Sequence, residues 1–102
     1  ASKGALNSLT LALARLLAPH VRVNAVLPGL IDTGWFLDGM SREQYEAIRA
    51  NYANASALED VCSAEDIADA VLYLATTTRK TTGQLLTVDS GYSLGRAVKV
   101  SR

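Results

Sequence analysis

The sequence predicts an α/β chain with a parallel sheet. A long amphipathic helix over residues 2–18 runs at once into an apolar, β-branched strand, the succession that builds parallel sheets covered by helices. The other elements follow in the order loop, helix, helix, strand, tail. Two strands do not make a stable open sheet by themselves. The apolar faces therefore call for partners beyond these 102 residues.

In the first helix Leu6, Leu9, Leu13, Leu16 and Leu17 recur at helical spacing, and Ala5 and Ala12 extend the stripe. Both sides are apolar or small, so the helix is expected to be deeply buried or packed against another subunit. Pro19 and His20 end it, because proline cannot continue the hydrogen-bond ladder. Val21 to Leu27 is predicted as a strand on its β-branched Val21, Val23 and Val26, with Pro28-Gly29 as its stop.

Residues 28–40 read as a glycine-rich loop carrying Trp35-Phe36. Ser41 with Gln44 forms a capping-box pattern that starts the next helix, whose apolar face is Tyr45, Ile48 and Tyr52. Asn51 to Leu58 is expected to be frayed or loop. Ser63 caps another helix, with Glu65 and Asp66 at the positive end of its dipole. Ile67, Ala70, Val71 and Leu74 are its expected core face. Thr82-Gly83 makes a turn, Gln84 to Val88 a last strand, and Asp89-Ser90-Gly91 closes it. No internal repeat or low-complexity segment is visible.

The composition is that of a globular chain, with 49% apolar and 20% charged residues, which argues against disorder. Ten basic residues balance ten acidic ones, which removes the electrostatic case for nucleic acid or anionic membrane. Arg96 to Arg102 reads as a solvated basic tail. The lone Cys62 makes no internal disulfide and shows no metal-ligand spacing, so no metal is expected. Low cysteine use agrees with a cytoplasmic location. Arg15 interrupts the longest apolar run, well short of the ~20 residues that cross a bilayer.

Four segments carry a resemblance. Ala1-Ser2-Lys3-Gly4-Ala5-Leu6 is similar to the segment after the active-site tyrosine of short-chain dehydrogenases/reductases. Val21-Arg22-Val23-Asn24-Ala25-Val26-Leu27-Pro28-Gly29, continued by Leu30-Ile31-Asp32-Thr33, resembles that family's sixth strand and the loop after it. Glu65-Asp66-Ile67-Ala68 and Thr82-Gly83-Gln84 to Val88-Asp89 resemble its penultimate helix and last strand. Each match is weak alone; their order and intervals make the resemblance specific over residues 1 to about 91. It implies the C-terminal part of a doubly wound parallel Rossmann-type sheet, contributing two strands and about three helices, with a lid over residues 30–58 and a tail from 92 to 102. The family tyrosine would fall two residues before Ala1. That tyrosine, the glycine-rich dinucleotide fingerprint and the active-site serine and asparagine are then expected upstream, and residues 1–102 alone are expected to be inactive.

Read from the residues alone, Lys3 is an exposed lysine near a helix start. The resemblance implies a catalytic role. A lysine four residues after a tyrosine shares its helix face, lowers the phenol pKa and bonds the nicotinamide ribose. The loop at Pro28-Gly29 is a strand stop and also lies where ligands bind open parallel sheets, beyond the strands' carboxyl ends. The resemblance implies that the Ile31 backbone meets the carboxamide of NAD or NADP and the Thr33 hydroxyl the carboxamide or a phosphate; without it, Thr33 is a loop hydroxyl bonded to its own backbone. Trp35, Phe36, Leu37 and Met40, with Tyr45, either shape an apolar substrate pocket or pack the lid onto the core. Asn24 is read as a structural hydrogen-bonding residue. Gly29 to Gly34 has the spacing of a P-loop start, but Trp35 stands at the lysine position and excludes it. His20 is read as a solvated cation at a helix end. Two departures from the family pattern are Asp60, near a common arginine, and Ser90, where glycine is frequent.

The implied activity of the whole protein is NAD(P)-dependent interconversion of a small-molecule alcohol and carbonyl. Pro28 favours the standard branch over the enoyl reductases. A homodimer or homotetramer is expected through the first helix and last strand. The alternative is a non-catalytic member, a pseudoenzyme or oligomerisation module.

Overall fold

A computed structural model describes residues 3–33 and 39–96, without the side chain of Lys3. Helix α1 spans Lys3–Leu17, strand β1 Ala25–Pro28, helix α2 Arg42–Ala55, helix α3 Ala64–Leu72 and strand β2 Leu85–Val88. A π turn over Tyr73–Thr77 continues α3, and a 3₁₀ turn over Tyr92–Leu94 follows β2. The strands pair in parallel from Ala25↔Leu85 to Pro28↔Val88. The predicted α/β class with a parallel sheet is observed.

Strand β1 begins later than the predicted Val21, and side chains account for the difference. The Asn24 amide donates to the Thr81 carbonyl at 3.0 Å and accepts from the Gln84 N–H at 3.0 Å, standing in for ladder bonds. The Val23 N–H donates to the Thr82 hydroxyl at 3.1 Å. Arg22 donates to the carbonyls of Leu74, Thr81 and Ala75 at 2.9, 3.1 and 3.2 Å; those of Leu74 and Ala75 are carbonyls that the end of a helix leaves open. Pro28 costs no bond to β2. The N–H groups of Ala25 and Gly29 point toward that strand, to Gln84 and Val88, and alternation turns the Pro28 nitrogen away.

The predicted capping box at Ser41 forms, and the predicted cap at Ser63 is a capping box as well. The Gln44 N–H donates to the Ser41 hydroxyl and the Ser41 N–H to the Gln44 side chain, at 3.1 and 2.9 Å. Ser63 and Asp66 repeat the pattern at 3.1 and 2.8 Å. The bond from the Ser63 backbone, and then that from its hydroxyl, hold the Asp66 carboxyl below its ordinary value. Helix α2 runs through Asn51, where fraying was expected, to Ala55. Tertiary contacts extend it: Tyr52 donates to the Asp89 carbonyl at 2.9 Å and stacks on Tyr92 with ring centroids 4.4 Å apart. Ser56, fully buried, donates to the Tyr52 carbonyl at 2.7 Å. These contacts outweigh the weak helix propensity of asparagine.

The core is small. Ala14, Tyr45, Val61, Cys62 and Leu74 are its buried apolar residues. Helix α1 meets the turn before β2 through Ala14 and Leu11, beside Gly83. Its predicted stripe is not buried within this chain: Leu6, Leu9, Leu16 and Leu17 are exposed, Leu16 by 77%. Leu74, in the π turn after α3, is buried but Val71 on α3 is exposed, so the expected core face is only partly covered. The apolar rows thus exceed what two strands and three helices can shield.

Candidate functional site at the end of strand β1

The loop after β1 is held from several sides. The Gly29 N–H donates to the Val88 carbonyl at 3.0 Å, which carries the chain past the strand end. A β-carbon on Gly29 would lie 1.9 Å from the Tyr52 hydroxyl and 2.9 Å from the Asp89 backbone. Glycine is therefore required by close approach. The Tyr52 phenol, pushed above its ordinary value chiefly by burial, remains a neutral donor to Asp89.

Beyond Gly29 the chain pairs with the segment before α3. The Cys62 N–H donates to the Leu30 carbonyl at 3.1 Å, and the Asp32 N–H donates to the Cys62 carbonyl at 2.8 Å. This is a parallel bridge centred on Ile31. In such a bridge the N–H and C=O of the central residue point away from the partner. The Ile31 carbonyl accepts from the Thr33 N–H at 3.0 Å. The Ile31 N–H likewise points away from the Cys62 segment, at the carboxyl end of β1. Thr33 is exposed beside it and Ile31 is half-buried. Cys62 itself is buried, its thiol donates to the Val88 carbonyl at 3.3 Å, and burial pushes its pKa up, as suits a structural thiol.

Asp32, which the sequence reading passed over, anchors the loop to α2. Its carboxylate accepts from the Tyr45 hydroxyl and, at 3.0 Å, from Arg49 Nε. Tyr45 and Arg49 are four apart on α2 and so share a face. That spacing is the one sequence signal from which the anchor was readable. Asp89 builds the neighbouring turn, accepting from the Gly91 and Ser93 N–H groups at 2.9 and 3.0 Å and from the Ser93 hydroxyl at 2.5 Å. The Ser93 hydroxyl is the main reason its carboxyl lies below its ordinary value.

Pro28 ends β1, and Gly29, Ile31 and Thr33 follow it in one short loop. Lys3 opens α1. Met40 is half-buried just before α2. Trp35, Phe36 and Leu37 lie outside the described residues. Asn24 has the structural role expected of it. No group of metal ligands occurs among the described residues, and no helix there is long and apolar enough to cross a membrane.

A family model described as enoyl-(acyl carrier protein) reductase matches residues 1–93. The 7alpha-hydroxysteroid dehydrogenase of Clostridium sardiniense is 42% identical over 96 residues, covering 92% of this chain and 35% of that protein. The short-chain dehydrogenase/reductase homolog YusR of Bacillus subtilis is 33% identical over 93 residues, covering 91% of this chain and 67% of that protein. A solved small-chain dehydrogenase in complex with NADPH is similar with a TM-score of 0.80 and 35% identity, over 90% of this chain and 41% of that one. The chain belongs to the short-chain dehydrogenase/reductase family. It spans 35% of the hydroxysteroid dehydrogenase and 41% of the solved structure.

Proposed function

We propose that residues 1–102 form the C-terminal part of an NAD(P)-dependent oxidoreductase that interconverts an alcohol and a carbonyl, in the standard branch of the family. The observation that carries this is the Ile31 N–H, turned away from the Cys62 segment by the bridge at the carboxyl end of a parallel strand. A backbone donor beside an exposed threonine hydroxyl is a donor set suited to a carboxamide. Bound there, the nicotinamide supplies or accepts the hydride. The Ile31 N–H and the Thr33 hydroxyl orient its ring. Pro28 and Gly29 bring the chain to that point. Lys3 stabilises the phenolate of an upstream tyrosine, which exchanges a proton with the substrate oxygen, and it bonds the nicotinamide ribose. Trp35, Phe36, Leu37 and Met40 line the pocket of an apolar or bulky small-molecule substrate. The whole protein works in the cytoplasm as a homodimer or homotetramer.

The test is fluorescence titration of the full-length protein with NADH and NADPH, followed by assay on a panel of alcohols and ketones. Saturable binding and turnover are expected, and Lys3→Met should lower turnover ~100- to 10,000-fold. Absence of cofactor binding in the folded full-length protein, or normal turnover of Lys3→Met, refutes this reading. Residues 1–102 alone should bind neither cofactor.

A further inference from the structure

We propose that Asp32 is a positioning residue for the cofactor loop, acting through Tyr45 and Arg49 of α2. This rests on the cofactor reading above. Along its backbone the loop is fixed to the segment before α3 by the Cys62 bonds to Leu30 and Asp32. The second restraint comes from the Asp32 side chain, which reaches α2. Asp32 stands between the two residues that would meet the carboxamide, so whatever fixes it fixes the Ile31 N–H and the Thr33 hydroxyl relative to each other.

The two contacts are unequal. The ion pair to Arg49 is open to water, with side chains 41% and 35% exposed, and such pairs contribute little alone. Tyr45 is 5% exposed. Its ring is held by packing, so its hydroxyl is a fixed donor to the carboxylate, and hydrogen bonds to charged groups are the stronger kind. The same contact ties the cofactor loop to α2. Residues 30–33 and α2 are therefore expected to move as one unit, and preorganisation of the loop lowers the ordering cost of binding.

The test uses the full-length protein with Asp32→Asn, Tyr45→Phe and the double variant. Asp32→Asn is isosteric at a partly exposed side chain, so it leaves folding intact, and thermal melts check all three. Titration with NADPH and NADH reads the dissociation constant directly, without turnover. Each single variant should weaken binding of the preferred cofactor about tenfold. The double variant should be no weaker than the worse single one, because Asp32→Asn strips the charge from the same contact that Tyr45→Phe removes. In steady-state assays KM for the cofactor should rise while kcat at saturating cofactor holds. Wild-type binding with unchanged affinity in the variants overturns this inference and leaves the functional reading standing. So does a fall in melting temperature with unchanged affinity. A wild-type protein that binds neither cofactor overturns both.

Discussion

Ser90→Gly should stabilise the protein. Ser90 has φ +58°, in the left-handed region where a β-carbon is strained. A non-glycine residue held there costs roughly 1 kcal/mol or more. Its hydroxyl is buried and has no hydrogen-bond partner among the described residues. An unsatisfied buried hydroxyl costs ~1–3 kcal/mol. Against these, the greater freedom of glycine in the unfolded chain costs ~0.4–1 kcal/mol. The backbone bond that matters, from the Leu58 N–H to the Ser90 carbonyl at 2.9 Å, does not depend on the side chain. The balance is a gain of about 1 kcal/mol or more. In a full-length protein of ordinary domain size, that raises the melting temperature by roughly 2–4 °C. Calorimetry of wild type, Ser90→Gly and Ser90→Ala separates the contributions, since alanine removes the hydroxyl and keeps the strained β-carbon. Ser90→Ala should fall between the other two. A melting temperature for Ser90→Gly at or below wild type would refute the reasoning.

Gly29→Ala should destabilise by roughly 1–3 kcal/mol, the usual cost of overpacking, because the added methyl would displace the Tyr52 hydroxyl from Asp89; chemical denaturation reads it. Asp89→Asn should lower stability at neutral pH and do so less in acid. The Asp89 carboxyl is held below its ordinary value, so its contribution is full above the unfolded pKa of ~3.9 and is lost as pH falls through the lower folded value. Paired melts at pH 7 and pH 3 check whether the gap between the two proteins closes. Ala12→Arg should weaken self-association of the full-length protein, because Ala5, Leu9, Ala12 and Leu16 form an exposed row on α1. Sedimentation at low micromolar concentration measures it, and a monomeric wild type would remove the interface.

Local chemistry explains what the sequence determined by itself. Ser41 with Gln44 and Ser63 with Asp66 announce helix starts because a cap is made within four residues. The leucine periodicity announces α1, and the family motifs announce the parallel pair and the loop at its end. Tertiary structure decided what depends on residues far apart in the chain. Strand β1 starts at Ala25 because Asn24 and Arg22 spend their side chains on Thr81, Gln84, Leu74 and Ala75, more than fifty positions away. Helix α2 reaches Ala55 because Tyr52 finds Asp89 and Tyr92. The glycine at position 29 reads as a strand stop, yet its reason is a tyrosine hydroxyl brought in from α2. Asp32 is the clearest case. As a residue type in a loop it announces nothing, and it becomes an anchor only when α2 folds back and presents Tyr45 and Arg49 to its carboxylate. Periodicity and capping are short-range and therefore legible in one dimension. A hydrogen bond between side chains on different elements exists only once packing has fixed where those elements lie.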